Sequence, residues 1–86
     1  MTNINRVQII SVAARVLRNE MGYRQPSGDV LSKYSDRVDF WAQNDVALAT
    51  SANLVVYRWD GTFSGAKNMS RGDAAILLNR LFQKLW

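Results

Sequence analysis

At 86 residues and 9.8 kDa the chain has room for one domain with a single modest core, burying somewhat over ~60% of its unfolded surface. It has no cysteine and no histidine, which excludes disulfides and thiolate metal sites and removes the usual general base and the commonest zinc ligand. A net charge of +4 and a pI near 10.0 favour an anionic partner, but the 11 Lys and Arg residues form no run and no helical stripe, so nucleic acid is not expected.

A 48% hydrophobic and 21% charged composition suits a folded protein. No apolar stretch approaches the ~18 residues of a membrane span, and none is expected. The Asn3–Asn5 segment breaks any signal-peptide pattern, so an exported protein is expected to be represented here by a mature piece.

The first helix is expected over residues 5–19, with Asn5 as cap and Gln8 as its capping-box partner. Gln8, Ser11, Arg15 and Arg18 make one narrow polar stripe, and Val7, Ile9, Ile10, Val12, Ala13, Ala14, Val16 and Leu17 cover the rest. So apolar a helix is buried on several sides or packs into a bundle, which motivates self-association as a homo-oligomer. Gly22 supplies the stop. Residues 23–35 connect, with Pro26, Ser27 and Gly28 as turn formers and Val30 and Leu31 dipping to the core in one short helical turn.

The second helix is expected from about Val38 to Ala52, capped by Asp36 or Asp39, with Trp41 as a large packing anchor beside small alanines. Leu54 to Trp59 is β-branched and aromatic and leads into Asp60-Gly61; we read an extended crossing, a tight turn and Phe63 plugging the core. Ser70 then caps the third helix, with Asp73 three residues on. Ala74, Leu77, Leu78, Leu81 and Leu85 repeat at helical spacing, with Phe82 widening the stripe. The fold class is all-α: three helices, with a short extended segment and a tight turn between the last two.

The first and third helices share a pattern. Aligning Met69 with Ile4, an offset of 65 residues, pairs Asn68 with Asn3, Arg71 with Arg6, Arg80 with Arg15 and Leu81 with Val16. Between them stand Tyr34-Ser35-Asp36, Trp41-Ala42, Asp60-Gly61-Thr62-Phe63 and Met69 to Asp73. In order and rough spacing these elements resemble one repeat of the surface-layer homology (SLH) family. There an aromatic-Ser-Asp stretch precedes a Trp-Ala helix, an Asp-Gly-Thr-Phe turn and an Ile-Thr-Arg-Ala-Glu helix start. The resemblance makes residues 30–86 one full repeat and residues 1–22 the closing helix of a preceding one, all within a single domain. The chain departs from the family at Gly72-Asp73, at Asn53 and Tyr57 in place of glycines, and at Gly65 in place of proline.

The resemblance implies a secreted, non-catalytic module of the bacterial cell surface that binds anionic, often pyruvylated, wall polysaccharide without a cofactor. Sugar grooves in the family lie between repeats, so neighbouring repeats are expected partners. Arg71 beside a helix N-terminus is a natural carboxylate site, and Arg6 its counterpart in the N-terminal copy. Asp36 is expected to accept sugar hydroxyls, Trp41 to offer a pyranose an apolar face, and Tyr57 to line the ligand loop. The alternative for Arg71 is a salt bridge with Asp73. The alternative for the chain is an assembly module that kept the fold and lost the sugar site. An enzyme is not expected: Asp36, Asp39, Asp45, Asp60 and Asp73 are scattered, and helix capping explains acids at helix starts.

Overall fold

The structure is a computed structural model and describes residues 5–55 and 60–85. Three α-helices account for most of it: α1 (Arg6–Glu20), α2 (Gln43–Ser51) and α3 (Arg71–Leu85). Two 3-10 turns, Val30–Lys33 and Phe40–Ala42, lie between α1 and α2, and there is no strand among the described residues. The all-α expectation holds.

α1 begins where local chemistry puts it. The Asn5 side chain accepts the Gln8 N–H at 3.0 Å and the Gln8 side chain accepts the Asn5 N–H at 3.2 Å, a complete capping box. The next two amide groups, which a helix leaves without partners, go to another part of the chain. Arg6 N–H donates to the Lys67 carbonyl at 2.8 Å and Val7 N–H to the Gly65 carbonyl at 3.0 Å. An antiparallel bridge between Asn5 and Asn68 lies alongside. The start of α1 is thereby stitched to the segment that leads into α3. Its far end closes at Gly22 (φ 71°), where the Tyr23 N–H reaches back to the Leu17 carbonyl.

α2 is shorter than expected. Residues Phe40–Ala42 form a 3-10 turn, and neither acid caps a helix by its side chain: Asp39 makes no cap bond, and Asp36 is engaged elsewhere. At the other end Asn53 (φ 62°) takes the left-handed position, with its N–H on Thr50 and the Leu54 N–H on Ala49. This is a Schellman closure built on asparagine rather than glycine.

The core lies between α1 and α2, capped by the Phe63 turn. Val7, Ile10, Ala13, Ala14 and Leu17 of α1 meet Ala42, Val46, Leu48 and Ala49, with Leu54 and Val55 below. Alanines on both helices permit close approach. Tyr34 closes one side: its ring lies 5.2 Å from that of Phe63, and its hydroxyl bonds the Thr50 hydroxyl at 2.7 Å inside the core. Val30 and Leu31 sit half-buried in their 3-10 turn, as the connector was expected to place them. Phe63 is fully buried, as expected.

Three expectations are corrected. Trp41 is not a packing anchor but is 57% exposed, and Ala42 beside it takes the buried position. The polar stripe of α1 does not all face water: Ser11 is buried and bonds Asp45, which also receives Arg18 at 3.0 Å. The reason is that Asp45 in α2 gives inward-facing polar groups a charged partner. Most of the apolar surface of α1 is therefore covered within its own chain, and of its large apolar side chains only Val12, at 58%, is exposed. On α3, Leu77 and Leu81 are buried and Ala74 half-buried, but Leu78 and Phe82 are exposed.

Candidate functional site

Two of the residues singled out for binding, Asp36 and Arg6, are engaged by the Phe63 turn. Asp60 accepts the Thr62 N–H at 3.0 Å and the Thr62 hydroxyl at 2.8 Å. Gly61 sits at φ 78°, and its carbonyl accepts the Ser35 N–H. The Asp36 carboxylate then reaches across and takes two consecutive amides, Phe63 N–H at 2.6 Å and Ser64 N–H at 2.8 Å. Ser64 has a positive φ of 53°, so the carboxylate holds the turn in a backbone shape that a serine adopts at a cost. Asp36 is thus a turn clamp with both oxygens engaged, which explains an acid at that place without a sugar.

Arg6 is likewise structural. Its side chain is 2% exposed, its Nε donates to the Phe63 carbonyl at 2.9 Å, and its guanidinium lies 5.8 Å from the Phe63 ring centre. One terminal nitrogen meets Asp73 Oδ2 at 3.3 Å. It is therefore an internal staple joining α1, the Phe63 turn and the first turn of α3. An Arg placed there offers a planar, weakly hydrated fork that can be buried when each nitrogen finds an acceptor.

Arg71 has the opposite environment. It is exposed at the first position of α3 and makes no hydrogen bond or ion pair with any described residue. Ser70 caps the helix by accepting the Asp73 N–H at 3.1 Å, as expected. The salt bridge considered between Arg71 and Asp73 is not formed, because Asp73 is paired with Arg6. The backbone amides of Arg71 and Gly72 also have no acceptor among the described residues. A guanidinium and two amides at a helix start therefore stand together without partners among the described residues.

Trp41 is exposed next to Phe40, which is 89% exposed; the pair presents two aromatic faces on one 3-10 turn. Sequence reasoning missed Phe40, although its place directly before Trp41 was visible. It also missed Asp45 as the hub for Ser11, Arg18 and, at 4.0 Å, Arg15. Tyr57 lies outside the described residues. Among the described residues no group of three or more acidic side chains could hold a metal ion, and no helix is long and apolar enough to cross a membrane.

No protein-family model matches the chain, and comparisons with curated proteins and with solved structures gave no significant match.

Proposed function

We propose that the chain is a non-catalytic, extracellular module of a bacterial cell surface that holds an acidic, pyruvylated wall polysaccharide non-covalently. The observation that carries this reading is Arg71, an exposed cation that, like the amides of Arg71 and Gly72, has no partner among the described residues at a capped helix start. A carboxylate there gains a two-pronged guanidinium partner and two amide donors. The ordered resemblance of residues 30–86 to an SLH repeat supplies the ligand class. Trp41 and Phe40 offer the apolar faces a pyranose ring stacks on. Arg6 and Asp36 contribute by holding the helix start and the turn in place rather than by touching sugar.

The test is binding to purified wall polysaccharide before and after chemical removal of its acidic substituents. A charge-assisted hydrogen bond is worth about 1.5–3 kcal/mol, so Arg71→Ala weakens binding roughly ten- to hundredfold, and Arg71→Lys recovers only part. A domain that ignores both forms of the polysaccharide refutes the reading.

A second reading is an assembly module that kept the repeat fold and lost the sugar site. It is favoured by the internal engagement of Arg6 and Asp36 and by the exposed apolar side chains Ile76, Leu78 and Phe82 of α3. Sedimentation of the chain without polysaccharide tests it: a monomer at all micromolar concentrations counts against self-assembly.

A further inference from the structure

α3 is fastened to the molecule by side chains. No backbone hydrogen bond joins it to the rest among the described residues, since the Ala74 N–H bond to the Ser70 carbonyl belongs to its own first turn. α1, by contrast, is tied by the Arg6 and Val7 amides to the Lys67 and Gly65 carbonyls. Of the described side chains of α3 only Leu77 and Leu81 are buried, and every other core residue lies at or before Phe63. The core between α1, α2 and the Phe63 turn is therefore almost complete without α3.

A cation takes part in each of three fastenings. In the first turn of α3, Asp73 meets Arg6 at 3.3 Å. In the middle, one terminal nitrogen of Arg80 donates to the Asn53 carbonyl at 3.2 Å and to the Val55 carbonyl at 3.5 Å. These acceptors lie just past the end of α2, where the helix dipole favours a cation. Near the far end, the Lys84 ammonium stands 6.0 Å from the centre of the Tyr23 ring. The chain entering α3 is held as far as Met69: Asn68 bridges Asn5, and Met69 packs half-buried against the core. Ser70 is exposed, and its hydroxyl accepts the Asp73 N–H, so the cap travels with the helix.

We propose that α3 opens as one unit from a folded α1–α2 body, pivoting between Met69 and Ser70, with Arg80 as its latch. Segments with few buried apolar contacts open at lower free energy than the core, and they do so cooperatively. Opening breaks the Asp73, Arg80 and Lys84 contacts together and uncovers Leu77 and Leu81. The backbone ties of α1 and the bonds of Ser11 and Arg18 to Asp45 persist. Opening also carries Arg71 away from the body, so a glycan that touches both holds the helix shut. That consequence rests on the glycan reading; the opening itself does not.

The experiment is native-state hydrogen exchange on the full chain, read residue by residue by NMR in low concentrations of urea, with no polysaccharide present. Amides from Ala75 to Lys84 should exchange at least tenfold faster than those from Ile10 to Leu17. They should also share one urea slope, shallower than that of α1, because less surface is exposed. Arg80→Ala removes the latch and should speed all of α3 at least tenfold by one common factor. Val46→Ala weakens only the body, since Val46 is fully buried in α2; it should speed α1 at least tenfold and leave α3 unchanged. Equal exchange in α1 and α3, or an equal response of both to Val46→Ala, means that α3 leaves only with the whole fold and overturns the proposal. Exchange graded from Lys84 back to Ala75 and indifferent to Arg80→Ala is end fraying, and overturns it too.

Discussion

Removing the Arg6 side chain is the sharpest test of the fold. In Arg6→Ala the Phe63 carbonyl loses a buried charged donor at 2.9 Å, a bond worth about 1.5–3 kcal/mol. The Asp73 pair is partly solvated, with the acid 32% exposed, and adds only about 0.2–1 kcal/mol. Loss of the guanidinium's cation–π contact with the Phe63 ring brings the expected cost to about 3 kcal/mol. At roughly 0.05–0.15 kcal/mol per residue, a chain of this size has about 4–13 kcal/mol of stability in all. The substitution therefore removes a quarter to most of it, and lowers the melting temperature by roughly 12–24 °C. Urea unfolding followed by circular dichroism measures this directly. Arg6→Lys keeps a charge near Asp73 but lacks the second arm, so it should recover less than half. A cycle with Asp73→Ala should give a coupling of about 0.5 kcal/mol or more. A loss below about 1 kcal/mol for Arg6→Ala would refute the staple and return Arg6 to the list of residues open to a ligand.

Two glycines make a matched pair. A Cβ on Gly65 stands 2.9 Å from the Phe63 ring and 3.0 Å from Val7 Cβ, so Gly65→Ala should destabilise by about 1–3 kcal/mol. Nothing lies within 4 Å of a Cβ on Gly72, so Gly72→Ala should stabilise α3 by up to about 1 kcal/mol; thermal melts of both variants check this. Ser70→Ala should cost about 1 kcal/mol through the lost cap bond, and no change in denaturant midpoint would mean that α3 starts elsewhere. Asp36→Ala should cost about 2 kcal/mol by releasing two amides of the Phe63 turn, seen as faster exchange at Phe63 and Ser64 specifically.

The features that the sequence settles are those whose partners lie within a few residues. The caps at Asn5 with Gln8 and at Ser70 with Asp73, the stop at Gly22 and the left-handed Asn53 all close within six residues, so local residue chemistry suffices to place them. The burial of Phe63 between turn formers was legible for the same reason. Which way a helix faces was not, because periodicity measures how wide an apolar stripe is and not what stands opposite. α1 and α3 carry matching patterns, yet α1 buries the face holding Arg6, Ile10 and Leu17 while α3 buries the face holding Leu77 and Leu81. Only the distant partners decide this: Asp45 draws Ser11 and Arg18 inward, and the carbonyl of Phe63 with Asp73 makes a buried place for Arg6. For Arg71, the same residue type at the equivalent position of α3, no described residue supplies such acceptors, and its side chain is exposed.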